Sequence, residues 1–454
     1  MTDRGANPEP SMLDVPRRAL LIGMGVTNRA VAGALLRRHH EVVAVDDRPD
    51  DVLRGAAHTL GIDLIEGPSV DRLAELVGAA DLVVPAPGQP EHHPVFTLAD
   101  AAGRPVLSEF DLAAVWDDRP IAAVTGTNGK TTVVELAVAA LGRAGVRAIA
   151  AGNTEVPLVA AIDDPATQVF VVEASSFRLA RTRWFAPVVG TWINFAPDHL
   201  DIHADLAAYE QAKAAVWERL RPDGVAVANA DDPVVMSHVP ADRTVVTFGT
   251  SGDYRLEGST LVGPDGSITT LDRLWRSLPH DVVDALAVAA TVAPFGAGPT
   301  AVAEACADFA GLAHRVELVA EIDGSAYYDD SKATTPHATV AALAGFDRVV
   351  LVAGGRNKGI DLSSMGAGRD HVAAVVAIGE AAEAVAEVFT GTAPVEIADD
   401  MADAVRRARR LAAGGIPVLL SPGCASFDWY RNYGERGDDF ARIVRTVAEE
   451  GARR

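Results

Sequence analysis

Residues 126–132 read Gly-Thr-Asn-Gly-Lys-Thr-Thr and sit between the apolar run IAAVT and the helix-like run VVELAVAALG. That context suits phosphate: N–H groups converge at a helix N-terminus, a lysine reaches the β and γ oxygens, and a hydroxyl serves Mg²⁺. Gly126, Thr127, Asn128, Gly129, Lys130, Thr131 and Thr132 are therefore the expected nucleotide-phosphate loop, although the strict P-loop pattern has a glycine where this chain has Val124. Glu173 closes the apolar run VFVV, at the strand end that faces the ligand crevice of an open α/β sheet. His199 lies in NFAPDHLDIH. Beside a phosphate loop, a carboxylate and an imidazole are candidate ligands of a divalent cation, the carboxylate being the more usual choice for Mg²⁺.

Lys213 stands in YEQAKAAVW with Glu210 three residues before it, which by itself reads as a solvated ion pair. A protonated lysine does not bind metal, whereas one carbamoylated by CO₂ becomes a carboxylate-like anion that does. Only four of the 40 basic residues are lysines: Lys130, Lys213, Lys332 in DDSKATT and Lys358 in AGGRNKG. All the others are arginine, so lysine survives where a compact point charge or a reactive amine is wanted. Near the N-terminus, GMGVTN with Asp46 about 20 residues on resembles a dinucleotide fingerprint. Asn28 replaces the third glycine, so a phosphorylated nucleotide-linked ligand fits as well as NAD.

The elements that must position these residues form three βα blocks. Strand-like runs RRALLIG, EVVAVDD and ADLVVPAPG belong to the first, and IAAVTG, QVFVVEASS, VVGTWINF and GVAVANA to the second. RVVLVAGG, VAAVVAIG, APVEIADD and PVLLSPG make the third. Alternation of strands with helices predicts mostly parallel sheets. The segment 246–276 suits a small antiparallel hairpin, a helix is expected over 281–292, and a boundary is expected near Gly311. The predicted organisation is α/β with three domains: a Rossmann-like domain over 1–115, a central P-loop-type ATPase domain over 116–311, and a second Rossmann-like domain over 312–454.

A chain of 454 residues is too long for one core. Its formal charge of −22 argues against nucleic acid and anionic membrane surfaces as partners. Cys306 and Cys424 suggest no disulfide framework, no apolar run approaches the ~20 residues of a membrane span, and MTDRGANPEPSM is no signal peptide. The expectation is a cytoplasmic protein, and a monomer.

Taken in order, TGTNGKTT, EASSF, N-x-x-x-D-H-x-D from Asn194 to Asp201, YEQAKAAVW, GLAHR, DDSKATT, GGRNKG and SPGCASFDWYRNYGERGDDF resemble the Mur ligase family. The narrower DSKAT and SP-x-CASFD segments resemble its D-glutamate-adding branch. That resemblance implies an ATP-dependent ligase joining D-glutamate to UDP-N-acetylmuramoyl-L-alanine through an acyl phosphate, in peptidoglycan precursor synthesis. Two Mg²⁺ ions are implied, one on Thr131 and Glu173, the other on His199 and carbamoylated Lys213. Arg315, Asp330 and Asp284 are implied on ATP, and Gly25, Thr27, Asp46, Asn153 and Ser175 on the nucleotide-sugar. Lys332, Thr334, Lys358, Ser426 and Phe427 are implied around D-glutamate.

Some positions depart from the family. Thr154 and Glu155 follow Asn153 where GN-x-G is usual, Arg178 replaces a frequent Gln, and Thr335 replaces the Asn after SKAT. Asp281 and Asp284 stand in the usual HN-x-x-N segment; they keep acceptors for an adenine amino group but lose the amide donor. Another Mur ligase or a folylpolyglutamate synthase-like enzyme shares GTNGKTT and DHLD. A dehydrogenase built on GMGVTN would leave all four lysine segments unexplained.

Overall fold

A computed structural model describes residues 13, 17–200, 202–412 and 414–452. Asp201, the last position of the N-x-x-x-D-H-x-D segment, lies outside the described residues. The described residues divide into two compact units, one of those up to 195 with 202–269 and 285–305, the other of 196–200, 270–284 and those from 306 onward.

Two parallel sheets build the first unit. The smaller runs Asp63–Glu66, Glu41–Asp46, Arg18–Ile22, Leu82–Pro85, and the larger runs Thr244–Phe248, Val225–Asn229, Val189–Trp192, Ile121–Thr125, Val169–Glu173, Ala148–Gly152. Strands covered on both faces read as unbroken apolar runs, and Val169–Glu173 is buried at every position. A single apolar core contains Leu21 and Leu35 beside the smaller sheet together with Phe170 and Trp192 of the larger one. The expected hairpin over 246–276 is a three-stranded sheet, Arg255–Glu257, Thr260–Gly263, Gly266–Thr270, whose first pair is antiparallel.

The second unit holds a six-stranded sheet in the order Glu317–Ile322, Ser325–Asp329, Val418–Leu420, Val349–Gly354, Val372–Ile378, Val395–Ile397. Its first pair is antiparallel and the others are parallel. Sequence reading missed this opening hairpin, because ELVAEIDGSAYYDD carries acids and turn residues inside an apolar pattern. Helix Pro279–Val292 begins two residues before the predicted start, and Asp281 fixes its first turn by accepting from Leu278 N and from Arg276. Thr335 has an equally local reason to be there. Its hydroxyl accepts from Ala338 N and caps the helix Pro336–Leu343.

Candidate active site

Strand Ile121–Thr125 lies between Val169–Glu173 and Val189–Trp192, so the chain crosses from one side of it to the other. Ligands of open α/β sheets bind at such a switch point, outside the strand C-termini. Val124, where the strict P-loop pattern has a glycine, is inside this strand and fully buried. Residues 126–129 then turn into helix Lys130–Arg143, with Gly129 left-handed at φ +86 as its N-cap. No side chain caps this helix and no acid sits in its first turn, so its leading N–H groups face the loop ready for an anion.

Asn194 laces the loop into shape. Its Oδ1 accepts from Thr127 N and Asn128 N at 3.0 and 2.9 Å, and its Nδ2 donates to Asn128 O at 3.1 Å. Lys130 Nζ donates to Gly126 O and Thr127 O at 2.8 and 2.9 Å. The sequence marks Asn194 only as the start of a motif; its lacing role depends on a partner 66 residues away.

Glu173 pairs in register with Val124 on one side and Gly152 on the other. Gly152 has φ +95, and a Cβ there would come within 2.6 Å of Glu173 O, so only glycine lets the neighbouring strand approach. Asn153 Nδ2 donates to Glu173 Oε1 at 2.9 Å, while Glu173 Oε2 is buried with no hydrogen-bond partner among the described residues. A buried carboxylate oxygen with a free lone pair is costly unless a cation or donor meets it. Together with Thr131 in the first turn of the helix, this donor set fits a hard divalent cation.

Lys213 corrects the surface ion-pair reading. It is 1% exposed, and Glu210 instead meets His238 Nε2 at 2.6 Å. Lys213 Nζ donates to Gly126 O at 2.7 Å and lies 4.6 Å from the Tyr209 ring centre. Lys130 and Lys213 thus share one carbonyl oxygen. Two ammonium groups held that close repel, and a buried charge is expensive. One loop further on, buried His203 meets Ser176 Oγ at 2.9 Å and Glu91 Oε1 at 3.2 Å, which anchors the DHLDIH segment.

In the smaller sheet, Asp46 ends its strand as expected, and its two oxygens accept from Met24 N and Arg48 N at 2.9 and 3.1 Å. Asp46 therefore shapes the glycine turn. Asn28 explains its own departure from the fingerprint: its Nδ2 donates to Ile22 O, Gly23 O and Val84 O, tying the ends of two strands together. Gly25 is exposed and Thr27 buried.

The second unit carries the remaining candidates. His199 adopts a left-handed backbone, φ +56, rare for a residue with a side chain. Neighbouring Asp198 was not singled out from sequence, yet its Oδ1 accepts from Lys358 Nζ at 2.7 Å. Burial raises the Asp198 pKa, but His199 and Lys358 outweigh it and hold the carboxyl below its usual range. His314 Nδ1 meets Asp329 Oδ2 at 2.7 Å and fixes the segment before Arg315. Lys332 Nζ lies 5.5 Å from the Tyr433 ring centre. Thr334 is half-buried and Ser426 buried, whereas Phe427 is 60% exposed.

Asp284 and Asp330 are buried, and burial pushes both carboxyls up against the opposing charge of Arg315, Asp330 to about 7. Asp330 Oδ2 accepts from Ser421 Oγ at 2.8 Å. A carboxyl whose folded pKa exceeds the unfolded value stabilises the fold fully at pH below the unfolded value, and that contribution is lost as pH rises through the folded one. Thermal stability should thus carry a component that declines from about pH 4 to 7 and that Asp330→Asn removes. Melting temperatures of both proteins across that range check it; an unchanged slope in the variant would mean that Asp330 does not titrate there.

The sequence matches the family described as Mur ligase middle domain over residues 124–270, and that described as Mur ligase, glutamate ligase domain, over residues 314–424. It is 41% identical to a UDP-N-acetylmuramoylalanine--D-glutamate ligase of Frankia casuarinae, over 95% of this chain and 94% of that protein. A protein of the same name from Thermobifida fusca is 37% identical, over 95% of this chain and 99% of its own length. Among solved structures, a pseudomurein peptide ligase type C from Methanothermus fervidus superposes with a TM-score of 0.61 at 17% identity, covering 95% of this chain and 100% of that one. A UDP-N-acetylmuramate-alanine ligase from Thermotoga maritima gives 0.59 at 19% identity, covering 95% and 99%. The three-domain α/β architecture expected from the sequence is that of these structures. Among the described residues, no helix is long and apolar enough to cross a membrane.

Proposed function

The chain belongs to the Mur ligase family, and we propose that it joins D-glutamate to UDP-N-acetylmuramoyl-L-alanine with hydrolysis of ATP to ADP and phosphate. The observation that carries this reading is the near full-length identity of 41% to a protein named for that reaction, joined to a phosphate loop with two lysines on one carbonyl. The loop 126–132 holds the ATP phosphates on its N–H groups, and Lys130 supplies a point charge where negative charge builds on the transferred phosphoryl group. Bound Mg²⁺ would neutralise phosphate charge, held by Thr131 and Glu173 at one position and by His199 and carbamoylated Lys213 at the other.

The alanine carboxylate of the substrate attacks the γ-phosphorus and ADP leaves, giving an acyl phosphate. The amine of D-glutamate then attacks the acyl carbon, loses a proton, and phosphate departs to leave the amide. Arg315, Asp330 and Asp284 serve the nucleotide, and Gly25, Thr27, Asp46, Asn153 and Ser175 the nucleotide-sugar. A reaction that draws on ATP and a nucleotide-linked sugar supports a cytoplasmic location. Phosphate release that requires both UDP-N-acetylmuramoyl-L-alanine and D-glutamate, measured against a panel of amino acids, tests the reading; release with L-alanine or diaminopimelate instead would reject it.

Lys332, Lys358, Thr334 and Ser426 supply the cations and hydroxyls that a dicarboxylic amino acid needs, with Phe427 at their margin. Asp198 holds the Lys358 amine in place at 2.7 Å. Removing one cation from a buried charge pair costs about 2–5 kcal/mol. Lys358→Ala is thus expected to raise the KM for D-glutamate by about 30-fold or more and to leave that for ATP nearly unchanged. Steady-state kinetics with each substrate varied in turn decides it. A change confined to ATP would detach Lys358 from the amino-acid site.

A further inference from the structure

Arg178 is 6% exposed and joins two segments far apart in sequence. Its Nη1 donates to Glu109 Oε2 at 2.5 Å and its Nη2 to Thr27 Oγ1 at 2.9 Å. Glu109 is itself buried at the head of helix Glu109–Trp116, and its other oxygen accepts from Val159 N at 2.9 Å. The guanidinium therefore cannot swing away without abandoning a buried carboxylate, so it fixes the rotamer of Thr27.

Thr27 sits in the first turn of helix Val26–Arg37, which has Gly25 as N-cap, no side-chain cap and no acid in its first turn. A hydroxyl that accepts from a guanidinium must turn its own proton elsewhere. Beside an uncapped helix N-terminus, that proton and the leading N–H groups suit an oxygen acceptor carrying negative charge. Two further donors stand close in sequence with nothing to bind. Arg178 Nε and Ser175 Oγ are both buried and have no hydrogen-bond partner among the described residues. Glu109 and Arg178 line a pocket about the size of a water molecule with Pro85, Ala86 and Phe177, at the C-terminal end of strand Leu82–Pro85.

We propose that Arg178 is a positioning residue for the nucleotide-sugar substrate, holding Thr27 in the orientation that meets the substrate's phosphate or carbonyl oxygens. This rests on the nucleotide-sugar reading given above. The ion pair with Glu109 keeps the cation neutralised and stationary, so its effect falls on substrate affinity and not on the chemical step.

Equilibrium binding of UDP-N-acetylmuramoyl-L-alanine, steady-state kinetics and melting temperature test it together. Arg178→Ala should weaken binding and raise the KM for the nucleotide-sugar about tenfold or more, with the KM values for ATP and D-glutamate within about twofold. Thr27→Val should give the same change, and Thr27→Val/Arg178→Ala no more than either alone, since one acts through the other. A buried pair broken on one side destabilises the fold, so the single variant alone is ambiguous. Glu109→Gln/Arg178→Met removes both charges and the donor to Thr27, and should restore the melting temperature towards wild type while the nucleotide-sugar KM stays raised. The proposal falls if that double variant has wild-type affinity, if Thr27→Val binds normally, or if all three KM values rise alike. Failure of the unmodified enzyme to bind or use the nucleotide-sugar would instead overturn the reading on which it rests.

Discussion

Lys213→Ala and Lys213→Arg are both expected to lower turnover by about 10²-fold or more while ATP binding is retained. The side chain is 1% exposed, its Nζ meets Gly126 O at 2.7 Å, and Lys130 occupies the same carbonyl at 2.8 Å. A second permanent cation there would crowd the first. Reaction of the neutral amine with CO₂ releases a proton and leaves a carbamate, whose two oxygens can face a divalent cation near the phosphate loop. Alanine removes the amine, and arginine keeps charge but does not form the carbamate under these conditions. A small carboxylic acid such as formate should partly restore Lys213→Ala by supplying the missing oxygens, and it should do nothing for Lys213→Arg, whose side chain fills the space. With ¹³C-labelled bicarbonate, wild type should give a carbamate carbon resonance that Lys213→Ala lacks. An active Lys213→Arg enzyme, or no such resonance in wild type, would leave Lys213 as a buried structural amine.

Lys213 also marks where the sequence stops being legible. The helix LAAYEQAKAAVWE offers Glu210 at ion-pair spacing, and nothing in that pattern says that its lysine faces inward. Burial of a polar residue is set by what the fold brings opposite it, here a loop carbonyl 87 residues away. The strands that end before Gly126 and at Glu173 were legible because unbroken apolar runs fix both the strand and the end at which the next loop begins. The same local logic found Asp46 but not what its oxygens do, since they bond Met24 N and Arg48 N. The Arg178 link to Glu109 and Thr27 spans 69 and 151 residues, so no local pattern carries it. Asp198 went unnoticed beside His199 because its partner, Lys358, is 160 positions on. Periodicity reports which face is covered; it does not report by whom.

Lys130→Arg is expected to lower turnover by about 10²–10³-fold although it conserves charge. Lys130 Nζ donates to Gly126 O at 2.8 Å and to Thr127 O at 2.9 Å, inside a loop that Asn194 holds closed through Thr127 N and Asn128 N. A single ammonium can keep one such contact and turn its remaining protons to phosphate oxygens. A guanidinium is planar and wider, with donors in a fixed fork, and it cannot enter the same turn without displacing the loop backbone. That displacement would misalign the N–H groups that bind the phosphates, and in-line transfer tolerates little misplacement. The loss should appear mainly in kcat, because the lysine matters most when charge develops on the transferred group. Melting temperature should stay close to wild type, since Lys130 is only half-buried and lies on the first turn of its helix. Wild-type turnover in Lys130→Arg would remove this lysine from the chemistry, and with it the assignment of residues 126–132 as the site of phosphoryl transfer.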